Sequence, residues 1–290
     1  MTGMRCVVGV MLAAITAGCV ADDFAPTTDA TTHVHQETSD SSETETGGEP
    51  QSDLIEIPGA TFMMGCGADD LNCDADNPEH EVTVSTFMIQ RTEVWVGAYN
   101  ACVEAGACVP TIQEADCNWG VPGRNSHPIN CVTWQQAADF CEFMGRRLPT
   151  EAEWELAAAG PTARTYPWGS EPASCMLAHM VQVSGDSGGY GCATNLTAEV
   201  NSYWGGASSE GVLQLAGNVD EWVSDWYAED YYASGETVDP RGPAEGTAKV
   251  VRGGDWYDAS PLNLRAFERR QTPPNMALPE RGFRCALSVE

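Results

Sequence analysis

The sequence predicts one exported domain that mixes strands and helices, has little regular structure in its second half, and is stapled by disulfides. Three observations carry this. Strand-like alternation and capped helices fill residues 54–160, whereas Gly, Pro, Trp and Tyr dominate beyond Gly160 with only short strand-like runs. Twelve cysteines accompany an export signal, and an exported chain rich in cysteine reads as a disulfide framework. A chain of 290 residues with 42% apolar content is long enough for one sizeable core plus extensions.

The N-terminal "MTGMRCVVGVMLAAITAGCVADD" has one arginine, a short apolar run and small residues before Cys19. This is an export signal, too short for a membrane span with normal flanks. "TAGC" resembles the bacterial lipoprotein signal, which implies lipidation of Cys19 and anchoring in the envelope, at the outer membrane of a diderm cell. Residues 1–19 are then the signal segment. Residues 20–53 hold nine acidic residues and no lysine or arginine, so they are expected to be a disordered acidic tether. His33 and His35 in this stretch are read as solvated. The globular domain is expected over 54–290.

Net charge is −28, with thirteen arginines and Lys249 as the single lysine. Such a surface repels phosphate backbones and excludes nucleic acid as a partner. The membrane is reached only through the lipid anchor.

Along the domain, "LIEIPGATFMMG" alternates like strands around a Pro-Gly turn, and "HEVTVSTFMI" alternates again. "VGAYNACVEAG" reads as a helix closed by Gly106. In "TWQQAADFCEFMG", Thr133 and Gln136 form a capping box, Trp134, Ala137, Ala138 and Cys141 share one face, and Gly145 ends the helix. "PTEAEWELAAAG" repeats the device with Thr150, Glu153 and Gly160. "AKVVRGG" and "GFRCALSV" are short strand-like runs. Ten cysteines remain after Cys6 and Cys19. Cys66 with Cys73, and Cys102 with Cys108, are close enough in sequence for local disulfides.

Several segments together resemble the formylglycine-generating enzyme, or sulfatase-modifying factor, family. They are "IPGATFMMG", "EVWVGAYNACV", "HPINCVTWQQAADFCEFMGRRLPTEAEWELAAAG", "YPWGSE", "LAGNVDEWVSDWY", "VVRGGDW" and "RGFRCA", in family order over about 54–288. The resemblance implies an α+β fold related to the C-type lectin fold, low in regular secondary structure. Active members bind copper through two cysteines and use oxygen to convert a sulfatase cysteine to formylglycine. The resemblance also implies a Cys141–Cys285 bond, after which Cys117–Cys131 and Cys175–Cys192 would pair, an assignment the sequence leaves open.

The family's copper cysteines follow an "RGGS" motif, which here is "RGGDW". Asp255 replaces the serine, Asp258 stands at the first copper cysteine, and the second falls near Asn263. Hard oxygens do not suit copper(I), so no copper is expected. His80, His127 and His179 lack ligand spacing for iron. The resemblance does imply a structural calcium held by Gly217 and Val219 carbonyls, the Glu221 carboxylate and the side chain at Gln214. A second family calcium position falls at His179, where it is read as lost. Otherwise Glu221 caps a helix or pairs with an arginine.

Arg252, Asp255, Trp256, Arg265 and Arg269 are the candidate lining of a groove for a peptide, protein or glycan, unless the arginines are buried against carboxylates. The expected function is a non-catalytic binding or accessory module. The rivals are a formylglycine-generating oxidase using other cysteines, and an enzyme of different chemistry centred on Asp255 and Asp258.

Overall fold

A computed structural model describes residues 53–67, 70–182, 188–233 and 236–289. Cys6, Cys19, the tether from 20 to 52, and His33 and His35 lie outside the described residues. Four strands open the domain: β1 (Leu54–Ile57), β2 (Ala60–Met64), β3 (His80–Val84) and β4 (Phe87–Gln90). Helices α1 (Val96–Glu104), α2 (Trp134–Phe143) and α3 (Glu151–Ala159) follow. The second half adds short helical turns at Tyr190–Ala193, Trp204–Gly206, Tyr231–Ala233 and Pro261–Leu264, and short strands: β5 (Asp220–Trp226), β6 (Lys249–Arg252), β7 (Arg269–Thr272), β8 (Arg281–Phe283) and β9 (Ala286–Ser288). Among the described residues no helix is long and apolar enough to cross a membrane.

The helix ends follow local chemistry. Thr133 and Thr150 each accept a hydrogen bond from the backbone three residues on, and Gln136 and Glu153 reach back to the cap N–H. Both capping boxes are thus complete, satisfying N–H groups that the first turn leaves without partners. Gly160 closes α3 at φ 64°, a backbone region that favours glycine.

The strand-like opening runs do not form hairpins with themselves. β1 pairs with β4, which also pairs with β9, while β2 pairs only with β3. The Pro-Gly turn between β1 and β2 therefore passes the chain from one sheet to another. The larger sheet has the order β7-β6-β5-β8, with β5 antiparallel to β6 and parallel to β8.

Helix α3 covers one face of this sheet and α2 the other. Trp154, Ala157 and Ala158 of α3 share a buried cluster with Val223 and Val250. Ala137, Phe140 and Cys141 of α2 share another with Trp222, Val251 and Phe283. Alternation along a strand sends adjacent residues to opposite faces, so β5 contributes to both cores. The only lysine, Lys249, is buried here. Its ammonium lies 3.9 Å from the ring centroids of both Trp134 and Trp226 and donates to the Ser224 carbonyl at 2.7 Å. Burial pulls its pKa down to about 8.

Five disulfides join Cys66–Cys73, Cys102–Cys108, Cys117–Cys131, Cys141–Cys285 and Cys175–Cys192. The fourth closes a 144-residue separation between α2 and the segment entering β9.

Candidate functional site

The larger sheet sorts its charged residues onto two faces. On β7, Arg269 turns toward α3 and its neighbour Arg270 turns away. On β5, Glu221 and Asp220 divide in the same way.

On the α3 side, Arg252 donates to Glu151 at 2.8 Å and to Glu155 at 2.5 Å, and Arg269 grips both oxygens of Glu151 at 3.0 Å. Arg265 pairs with Asp70 at 2.6 Å and Glu268 at 2.7 Å. These three guanidiniums are buried against carboxylates. The reading of Arg252, Arg265 and Arg269 as a ligand groove is therefore corrected. Desolvating an arginine is tolerable only where a carboxylate neutralises it; α3 supplies Glu151 and Glu155 to Arg252 and Arg269, and loop residues Asp70 and Glu268 meet Arg265.

On the other face the sheet assembles the region of Asp255 and Asp258. Gly253 and Gly254, at φ 101° and 67°, turn the chain out of β6. At Gly254 a Cβ would meet Asn263 O at 2.7 Å and Asp258 Oδ2 at 2.8 Å, so the turn has no room for a side chain. The turn lays the Asp258 carboxylate onto the Asp255 N–H at 2.9 Å. Arg270 then reaches both Asp258 oxygens, at 2.8 and 2.7 Å, and Asp255 Oδ2 at 3.2 Å. Asn263 donates to Asp258 at 2.6 Å. Beneath them Arg281 of β8 pairs with Asp220 of β5. Asp255 is 4% exposed and Asp258 9%.

Burial pushes the Asp255 pKa well up, and the charges of Asp220 and Asp258 push it further. Asp220, Asp255 and Asp258 share two guanidiniums, those of Arg270 and Arg281.

An aromatic cluster flanks this network. Trp256 and Tyr257 lie 3.9 Å apart between ring centroids, and Tyr190 meets Tyr257 edge-on at 4.8 Å. Trp256 is buried, and Tyr257 donates to Asp116 at 3.0 Å. Of the five groove candidates, only Asp255 and Trp256 come together at this site.

The calcium candidates occupy the loop leading into β5. Glu221 is fully buried and accepts from Arg284 at 2.6 Å and from Trp154 Nε1 at 2.9 Å. Gln214 and Gly217 both have positive φ, 54° and 81°. Gln214 Nε2 donates to the Glu199 carbonyl, while its Oε1 is buried without a partner. Sequence reasoning missed Glu93. It is fully buried, burial pushes its pKa up to about 8, and only one of its oxygens is bonded, by Asn218. Glu93 Oε2, on a side chain that feels the Glu221 charge, and Gln214 Oε1 are thus both buried without a hydrogen-bond partner. Hard oxygens short of donors suit a calcium ion, although Arg284 already neutralises Glu221. "TEVWV" carried the only signal for Glu93: a glutamate within an apolar run.

His179 is a satisfied core residue. Its Nε2–H donates to the Leu196 carbonyl at 2.7 Å, leaving Nδ1 to accept from the Tyr203 hydroxyl at 2.7 Å. Burial depresses its pKa, in keeping with this neutral tautomer.

The family described as sulfatase-modifying factor enzyme 1-like domain matches residues 38–289. The chain belongs to this family. A formylglycine-generating enzyme of Streptomyces coelicolor is 32% identical over 286 residues, covering 81% of this chain and 89% of the relative. The inactive C-alpha-formylglycine-generating enzyme 2 of Mus musculus is 28% identical, covering 81% and 86%. Among solved structures, PvdO from Pseudomonas aeruginosa superposes with a TM-score of 0.69 at 23% identity, over 81% of this chain and 94% of that one. That likeness concerns the fold alone, and it agrees with a mixed α/β domain low in regular structure.

Proposed function

We propose that this protein is a non-catalytic binding or accessory module of the formylglycine-generating family, exported and lipid-anchored in the cell envelope through Cys19. One observation carries the non-catalytic reading. At the position that the resemblance gives to the first copper thiolate stands Asp258, with its carboxylate enclosed by Arg270, Asn263 and the Asp255 N–H. All ten cysteines among the described residues are in disulfides, so none offers a thiolate. Copper(I) requires soft ligands, and these residues do not fit it. A family relative named as inactive supports the same reading.

A structural calcium held by Glu93, Gln214, Glu221 and the Gly217 and Val219 carbonyls belongs to this proposal. It would tie the loop before β5 to the segment after β4. The ligand is a peptide, protein or glycan meeting the rings of Tyr190 and Tyr257, which the buried Trp256 backs, beside Arg270.

The deciding experiment incubates the protein with copper(I), oxygen and a cysteine peptide derived from a sulfatase. The peptide should emerge unchanged by mass spectrometry, and titration against a copper(I) chelator should give no tight one-to-one complex. Conversion of the peptide cysteine to an aldehyde would sink the proposal and restore the oxidase.

A further inference from the structure

Away from the Asp258 network, a cavity of about 650 Å³ opens between α2, the N-terminal end of β4 and the C-terminal end of β9. Its size lies in the range of roughly 300–1,000 Å³ typical of small-molecule sites. Three of the chain's thirteen arginines line it, Arg146, Arg147 and Arg241, in a protein whose net charge is −28.

Two of these arginines are already occupied. Arg146 pairs with Asp53 at 2.6 Å, and Arg147 with Glu153 at 2.6 Å. Arg241 differs. Among the described residues it is the one cation with no hydrogen bond, ion pair or aromatic contact, although carboxylates outnumber cations threefold in this chain. The floor is apolar: Trp134, Phe87 and Leu148 line the cavity beneath it. Trp134 is fixed there by the bond from its ring nitrogen to the Val223 carbonyl at 2.8 Å, and by Lys249 against its ring. The hydroxyls of Thr86 and Ser288 complete the wall, while that of Ser85 already donates to Asp239 at 2.8 Å.

We infer that this cavity binds a small organic anion, a carboxylate or sulfonate carried on a flat apolar body. The body would lie against Trp134, and the acidic group would meet Arg241. A planar guanidinium suits such an oxyanion because it offers two parallel donors. Two further carboxylates line the cavity: Asp239, which accepts from the Ser85 N–H and hydroxyl, and Glu142, at the end of α2, which makes no ion pair there. The charge of Glu142 opposes an anion but would favour a zwitterion, so it discriminates between the two.

The probe is 8-anilinonaphthalene-1-sulfonate, a sulfonate on apolar rings, with its uncharged counterpart N-phenyl-1-naphthylamine as control. Fluorescence titration of the intact protein should show one saturable sulfonate site, weakened about tenfold in Arg241→Gln and by added salt. Glu142→Gln should bind the sulfonate as tightly or more tightly. Trp204→Ala removes a large exposed apolar side chain elsewhere and should leave the site unchanged. Both Arg241 and Glu142 are exposed, so neither variant threatens folding. Equal affinity for the uncharged probe, no effect of Arg241→Gln, or loss of binding in Glu142→Gln would each overturn the inference. Failure here leaves the copper result untouched, because the two sites share no residue.

Discussion

Arg270 binds both carboxylate oxygens of Asp258 through a single guanidinium nitrogen, at 2.8 and 2.7 Å. Strand β7 carries the arginine, and the turn after β6 carries the aspartate. The β6–β7 register, with Val251 opposite Arg270, brings them together. On the reading proposed above, the pair fills the place where a copper thiolate would be needed, and Arg270 supplies the charge opposite Asp258.

Removing Arg270 should therefore be costly. Arg270→Met leaves Asp258 buried with one fewer cation, and breaking such a pair typically costs about 3 kcal/mol or more. Urea unfolding should show this loss, with most of it recovered in Arg270→Met combined with Asp258→Leu. Wild-type stability in the single variant would mean that the network contributes nothing.

Asp225 makes the fold sensitive to pH in a defined direction. Burial and the neighbouring Glu151 charge push its pKa up to about 7, against about 4 in an unfolded chain. Between these values the folded state holds a proton that the unfolded state has released, so stability falls as pH rises through the window. Asp225→Asn should lose this component. Measured by denaturant unfolding, the wild type should weaken relative to the variant from pH 4 to pH 7. A constant difference would show that Asp225 ionises normally.

Calcium at Glu93 and Gln214 would stabilise by mass action, since only the folded loop can bind it. Addition of EGTA should lower the wild-type melting temperature reversibly, and have much less effect in Glu93→Gln. If chelation leaves the wild type unchanged, the unpartnered oxygens have another explanation and no ion is held there.

The proposed lipid anchor rests on Cys19. Labelled fatty acid should enter the wild type and be absent from Cys19→Ala, with the variant recovered in the soluble fraction. An unlabelled, soluble wild type would leave secretion alone.

The Cys141–Cys285 bond should carry much of the order of the second half. In the chain-entropy view, closing a loop spanning 144 residues is worth about 5 kcal/mol. Cys141→Ala with Cys285→Ala should unfold at much lower denaturant. An unchanged midpoint would place the stability elsewhere.

Helices α2 and α3 were legible in the sequence because their determinants lie within a few residues. Thr133 with Gln136, and Thr150 with Glu153, satisfy backbone donors locally and need no distant partner. The cysteine pairs six and seven residues apart were legible for the same reason. That Asp258 stands where the family resemblance places a thiolate was read from the motif alone and belongs to the proposed function. Strands β5 and β7 were not legible. Asp220, Glu221 and Asp225 on β5, like Arg269 and Arg270 on β7, carry charges that mark a solvated stretch, yet β5 is an interior strand of the sheet. Their neutralising partners lie far along the chain: Arg281 is 61 residues from Asp220, and Glu151 is 118 from Arg269. Only the folded sheet brings these charges together. By the same pairing it closed three of the proposed groove arginines against carboxylates and left Arg241 free at a cavity wall, because the partner of a buried charge is set by three-dimensional register and not by local sequence.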